Sequence, residues 1–456
     1  MTRHRNVELL TVGAGPSNLA LAVALDELAP VELARKSLLI ERSETVAWQR
    51  GMLLPWTQAQ VSFLKDLVTL RDPRSKFSFL NYLHSVDRLN EFINLGTFTP
   101  YRTEISDYLQ WAANSLTNVH IEYGRECAGV EPVTDPDGVL TGWLTRLVDG
   151  STIGSRFLSI GVGREPHVPE VFAQLPARRM IHSTQYLPRI SELSKDLPYH
   201  VVVIGGAQSA AEMLYAVQQD LPSCRATMVM RTIGLNNYEI SKFTNELYYP
   251  SFTDQFFNAL PSAREQMLRE MHRTNYAGLN PALLDALYRQ MYQERLVGKQ
   301  RMQIVTMTDV TAARMDNDEV VFELTDRTTG AASELRCDLV LLGTGFEPRM
   351  PALIRQLGDA LGIDRISVTR NYRLVTGGPA TGACYLQGVN EATHGIADSL
   401  LSVLAKRASE ITDDILACWA GDAWAESAAQ AERAEPSGSA QADGRGQAAR
   451  VLGIRS

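Results

Sequence analysis

The sequence predicts an α/β protein with two Rossmann-like dinucleotide-binding domains, one for FAD and one for NADPH, plus a small helical substrate subdomain. Two strand–glycine-turn–helix units predict the domains. A long stretch after the second unit, with apolar residues at helical spacing, predicts the subdomain. A chain of 456 residues also exceeds one ordinary core, so two or three domains are expected.

The first unit is VELLTVGAGPSNLALAVALDEL. An apolar strand, Val7 to Val12, turns on Gly13 and Gly15 and continues as an apolar helix, with Asn18 where a third glycine often stands. Glycines at such a turn let the backbone approach a pyrophosphate, which then sits on the positive end of the helix. The next strand, SLLIER, ends in Glu41, a carboxylate where adenosine ribose hydroxyls bind, or else a solvated strand end. The second unit is YHVVVIGGAQSAAEMLYAVQQDL. Val201 to Ile204 lead into Gly205, Gly206 and Ala207, with a helix from Ser209. Its following strand, RATMVMR, ends in Arg231. An arginine there pairs with a 2′-phosphate, which makes this the NADPH unit; the alternative is a surface strand cap. Ala207 stands where a second glycine normally permits the closest approach to the pyrophosphate.

A third signal, RCDLVLLGTGFEPRMP, reads as a buried strand, Leu339 to Leu342, that returns the chain to the FAD domain. The expected boundaries are 1–170 and 337–420 for the FAD domain, 171–232 and 292–336 for the NADPH domain, and 233–291 for the helical subdomain. The subdomain is expected to be capped at Ser262 and at Asn280-Pro281. From Gly421 to 456 the composition turns to Ala, Ser, Gly, Gln and charge, and a disordered tail is expected.

Composition excludes several classes. With 44 basic and 52 acidic residues the net charge is −8, which disfavours nucleic acid or an anionic membrane as partner. No run reaches the ~20 apolar residues of a membrane span, and the N-terminus lacks a signal-peptide core. Five dispersed cysteines suggest free thiols, no metal and a cytoplasmic location. A disulfide reductase needs a redox cysteine pair that is not here. His182 and Tyr186 match only the end of the Baeyer–Villiger signature, because Pro176 and Arg178 stand where it has phenylalanine and glycine.

One further stretch is unusual. In QAQVSFLKDLVTLRDPRSKFSFLNYL, Lys65 and Asp66 interrupt an apolar run. A charge inside a fold is costly unless paired, so Lys65 either lies at the surface or meets an anionic ligand. This segment, with GAGPSNLALA, GGAQSAAE, FTNELYYP, HRTNY and THGIADSLLS, resembles the flavin-dependent N-hydroxylating monooxygenases of siderophore biosynthesis, which act on ornithine or lysine. The resemblance spans about residues 5 to 410.

The resemblance implies FAD, NADPH, molecular oxygen and a primary-amine substrate. It gives Lys65 the substrate carboxylate and places Asn245, Asn275 and Ser402 around the substrate. Gln60 and Asn275 are the catalytic expectations, Gln60 at the flavin ring. The implied cofactor contacts are Gly13, Gly15, Pro16, Asn18, Glu41, Trp48, Gln49, Gln60, Gly205, Gln208, Ser209, Arg231, Leu400 and Ser402. An amide suits an α-amino acid, since it donates to carboxylate and accepts from ammonium; alone, an asparagine in a helical segment is more often a cap. Three features depart from the family: Gln49 replaces histidine, Ala207 replaces glycine, and the run after Asn275-Tyr276 differs.

The implied reaction reduces FAD with NADPH, forms a C4a-hydroperoxyflavin and transfers its distal oxygen to a neutral side-chain amine. HRTNY looks closer to the ornithine branch. One methylene separates ornithine from lysine, worth only ~1–3 kcal/mol in an apolar pocket, so lysine is the runner-up and diamines come third. An uncoupled NADPH oxidase or redox flavoprotein is the reading from a different class. Family members are often tetramers, so a homo-oligomer is expected.

Overall fold

A computed structural model describes residues 4–238, 241–276 and 278–434. Contacts divide the chain into two units, Met1–Asp414 and Ile415–Ser456. The described part of the second unit is helical, within a helix Leu404–Ala434 that runs past the Gly421 expected to begin a disordered tail. Alanine and glutamate, strong helix formers, dominate 423–434. Residues 435–456 lie outside the described residues.

The first unit is built on two main sheets. Strands β1 (His4–Val12), β2 (Ser37–Ile40), β3 (His120–Glu122), β4 (Cys127–Thr134), β5 (Leu140–Leu147) and β6 (Thr152–Ile160) form the first, in the order β3-β2-β1-β6-β5-β4. β1 runs parallel to both β2 and β6, while β5 and β4 are added antiparallel. The second sheet begins with β7 (Met180–His182), β8 (His200–Ile204) and β9 (Arg225–Val229). A short parallel pair follows, β10 (Asn236–Asn237) with β11 (Gly278–Leu279), and β12 (Met302–Val305) returns to the edge of the second sheet. β13 (Thr308–Asp316), β14 (Glu319–Asp326) and β15 (Ala332–Cys337) make a separate antiparallel sheet.

β16 (Leu339–Leu342) corrects the expected chain path. It pairs in parallel with β7 and β8, which gives the second sheet the all-parallel order β12-β9-β8-β16-β7. The strand that rejoins the first sheet is β17 (Ala383–Leu386), beside β6. Both are fully buried four-residue apolar strands, so no alternation distinguishes their destinations. The segments leading out of β6 and out of β16 pair antiparallel with each other. His167 N donates to Gly345 O at 2.9 Å and Glu347 N to Glu165 O at 2.8 Å, around a Pro166–Phe346 bridge.

Helices Lys242–Glu246, Pro250–Asn258, Pro261–Asn275 and Pro281–Leu296 fill the stretch expected to be helical. Asn280 caps the last, its side chain accepting from Ala282 N at 2.8 Å. Ser262 caps nothing, because Pro261 opens that helix with Leu260 before it.

Candidate active site

The first glycine turn is shaped by exclusion. Gly13 has φ +88°, and a Cβ there would lie 2.9 Å from Gly161 O, while Gly15 is open. The helix Pro16–Leu28 follows with proline in its first turn. Asn18 behaves differently from the expected cofactor contact. It is fully buried, its Nδ2 donates to Val12 O and Gly13 O, and its Oδ1 accepts from Ser159 Oγ and Gln387 Nε2. All four bonding positions of the amide are occupied, so this side chain holds the turn from behind and offers no free polar group to a ligand. Glu41 reaches the turn from the end of β2 and accepts from Ala14 N at 2.9 Å and Ser43 N at 3.0 Å. An open cradle, a helix N-terminus and a carboxylate beside it fit an adenine dinucleotide.

The second turn repeats the pattern. Gly205 has φ +131°, and a Cβ would meet Gly343 O at 2.5 Å. Ser209 lies in the first turn of helix Gln208–Asp220, and Arg231 stands exposed just past β9. Gln208, another expected cofactor contact, is engaged inside the protein: Nε2 donates to Glu212 Oε1 at 2.7 Å and Oε1 accepts from Asn280 N at 2.8 Å. Glu212 in turn receives both Nη atoms of Arg102, at 2.7 and 2.6 Å, in a buried bidentate pair. This chain of contacts joins helix Arg102–Asn114 to the second glycine turn and to the helical segment.

Lys65 lies half-buried, and its Nζ donates to Ser402 Oγ at 3.3 Å. Among the described residues it has no carboxylate partner, and burial pushes its ammonium below the usual lysine range. A small cavity beside it is lined by Val61, Phe63, Ile105, Leu109, Leu401 and Leu404. Asp66, next in sequence, is turned elsewhere: its carboxylate accepts from Val68 N, Thr69 N, Thr69 Oγ1 and Phe79 N at 2.6–3.0 Å. A buried pair flanks Ser402 along the chain. Arg407 Nη1 donates to Asp398 Oδ1 at 2.8 Å, and Nη2 donates to Ser17 Oγ at 2.7 Å in the first turn after Gly15. The segment carrying Leu400 and Ser402 is thereby tied to the first nucleotide turn.

The structure thus brings Lys65 and Ser402 together. Asn275 ends helix Pro261–Asn275, and the next residue docks on the same segment: Tyr276 OH donates to the Glu391 carboxylate and lies 3.3 Å from Ser399 Oγ. Other expected residues are not in direct contact with this pair. Gln60 and Asn245 are exposed, and among the described residues neither hydrogen-bonds Lys65 or Ser402. Gln49 occupies left-handed backbone, φ 54°, and Trp48 N donates to Ser106 Oγ at 3.3 Å. Sequence reasoning missed the Arg407–Asp398–Ser17 link and the Arg102–Glu212 pair. Arg407 carried a signal: it shares a helical face with buried Leu404, Ala408 and Ile411.

The chain is similar to several known proteins along most of its length. Residues 5–348 match the family model for L-lysine 6-monooxygenase/L-ornithine 5-monooxygenase. The L-ornithine N(5)-monooxygenase of Pseudomonas aeruginosa is 37% identical over 415 residues, covering 90% of this chain and 93% of the relative. The solved ornithine hydroxylase of Pseudomonas aeruginosa superposes with a TM-score of 0.84 at 36% identity, covering 91% of this chain and all of that one. An ornithine N-hydroxylase from a Kutzneria species, solved with reduced FAD, NADP⁺ and L-ornithine, gives 0.83 at 30% identity, covering 90% and 99%. Among the described residues no helix is long and apolar enough to cross a membrane. The chain belongs to the L-lysine 6-monooxygenase/L-ornithine 5-monooxygenase family.

Proposed function

We propose that this protein is an FAD- and NADPH-dependent monooxygenase that hydroxylates the side-chain amine of L-ornithine, for a siderophore or a related natural product. The observation that carries this reading is Lys65, a half-buried cation with no carboxylate partner among the described residues, hydrogen-bonded to Ser402. A substrate α-carboxylate completes that site.

In this reading FAD lies across the Gly13–Gly15 turn with Glu41 at its ribose, and NADPH across the Gly205 turn with Ser209 and Arg231. The boundaries follow as a first-sheet FAD domain, a second-sheet NADPH domain and a helical substrate segment. Bound flavin, reduced by NADPH, supplies the activated oxygen. The residues of this chain bind and orient the amine. Lys65 donates to the α-carboxylate. Asn245 and Asn275 hold the α-groups, and Ser402 fixes the Lys65 ammonium. A site that grips the α-end and offers no carboxylate to the side-chain amine favours the neutral amine, the form that reacts. Gln60 is assigned to the flavin ring.

Two further assignments belong to this proposal. A cytoplasmic location fits five cysteines of which none forms a disulfide among the described residues. A homo-oligomer, a tetramer by resemblance, fits the apolar stripe of Tyr288, Tyr292 and Leu296 along helix Pro281–Leu296, each more than half exposed; light scattering of the purified protein reads its mass.

The test of the activity is hydroxylamine formed against NADPH consumed, with FAD-loaded enzyme and L-ornithine, L-lysine, putrescine and cadaverine in parallel. Near-stoichiometric product from L-ornithine alone is expected. Product from L-lysine alone reassigns the substrate, and hydrogen peroxide without hydroxylamine from all four overturns the reading.

A further inference from the structure

Lys65 and Asp66 are adjacent opposite charges in a part-buried segment, each a possible partner for the other. The structure keeps them apart. Asp66 Oδ1 accepts from Val68 N at 3.0 Å and Thr69 N at 2.6 Å, and Oδ2 accepts from Thr69 Oγ1 at 2.8 Å and Phe79 N at 2.8 Å. Four donors occupy the carboxylate and aim it at the start of helix Phe79–Ser85. The backbone on both sides of Lys65 is pinned as well. Lys65 N donates to Ser62 O at 2.9 Å. Leu67 N donates to the hydroxyl of Tyr108 at 3.2 Å, and that hydroxyl donates to Phe77 O at 2.8 Å. Among the described residues, the side chain of Lys65 hydrogen-bonds Ser402 and no carboxylate.

We infer that Asp66 is a positioning residue for substrate carboxylate recognition: engaged by Thr69 and Phe79, it folds the 66–79 turn and leaves the neighbouring Lys65 ammonium free for the substrate. This rests on the proposed role of Lys65. Asp66 touches neither substrate nor cofactor. Its effect passes through where Lys65 points and what competes for its N–H groups. An asparagine at this position keeps the size but presents an NH₂ group to donors, so it cannot satisfy them in the same geometry.

The test compares Asp66→Asn, Thr69→Val and Lys65→Met with the wild type, each loaded with FAD. Read for each are KM for L-ornithine, KM for NADPH, flavin content, and competitive inhibition by putrescine, which keeps both amines and lacks the carboxylate. In Asp66→Asn, KM for L-ornithine is expected to rise about tenfold, the scale of one charge-assisted hydrogen bond. KM for NADPH, flavin content and putrescine inhibition are expected to match the wild type. Thr69→Val removes one of the four donors and should show the same pattern at about two- to threefold; it decides the matter alone if Asp66→Asn does not fold. Equal weakening of L-ornithine and putrescine, or an unchanged KM for L-ornithine in both variants, overturns the inference. The control separates the two levels. An unchanged KM in Lys65→Met removes the Lys65 reading and this inference with it. A raised KM in Lys65→Met with none in the other two removes only the role of Asp66.

Discussion

Protonation of His394 should destabilise this protein as the pH falls. The imidazole is 2% exposed, stacks on Tyr372 with ring centroids 4.1 Å apart, and makes hydrogen-bond contacts with Arg370 O at 3.0 Å and Thr393 Oγ1 at 2.9 Å. Burial is the main cause that pulls its pKa from 6.5 to about 4. The charges of Arg370 and Arg407 act in the same direction, against Asp398 and the Arg370 carbonyl. The folded-state value lies below the unfolded one, so the contribution is fully present above about pH 6.5 and is lost as the pH falls toward 4. Linkage between these two values gives a loss of about 2 kcal/mol at about pH 5, approaching about 3 kcal/mol below pH 4. Other groups titrate in the same range, so the reading is a difference. Urea unfolding of the wild type and of His394→Gln is followed at about pH 7.5, 6 and 5. Glutamine keeps an amide donor for Arg370 O and does not titrate. The gap between the two proteins should shift by about 2 kcal/mol in favour of the variant across that range. Parallel pH profiles would refute a buried neutral imidazole.

Three other perturbations are worth making. Gly13→Ala places a Cβ 2.9 Å from Gly161 O at φ +88°, so the purified variant should carry little flavin by absorbance yet regain part of it at high added FAD. Gly205→Ala, 2.5 Å from Gly343 O, should raise KM for NADPH while flavin content stays near wild type. Arg407→Met leaves Asp398 charged and buried, which should cost about 3–5 kcal/mol in thermal or urea unfolding; Asp398→Leu added to it should recover a large part.

What the sequence could reveal depended on how local the cause was. Both glycine turns were legible because a positive φ and a close backbone approach exclude every side chain, and that exclusion is written in the residue itself. Lys65 was legible as a charge in an apolar run, and its link to Ser402 joins segments 337 residues apart that only the family resemblance connected. The internal bonds of Asn18 were not legible, because its partners Ser159 and Gln387 lie far along the chain. β16 was placed in the wrong sheet because a four-residue buried apolar strand carries no label for its neighbours. Asp66 stood in plain view beside Lys65. Its direction depended on Thr69 and Phe79 donors that exist only after the turn has folded.

The two crossings between the main sheets have a mechanical consequence. The segment Glu165–His167 and the segment Gly345–Glu347 are hydrogen-bonded to each other as a short antiparallel ribbon. A single crossing strand would act as a swivel, free in all three rotations. A paired ribbon flexes across its flat face but resists torsion, since twisting shears the His167–Gly345 and Glu347–Glu165 bonds together. With the buried Arg102–Glu212 pair, the ribbon holds the two halves at two separate places, so twisting one against the other strains both ties.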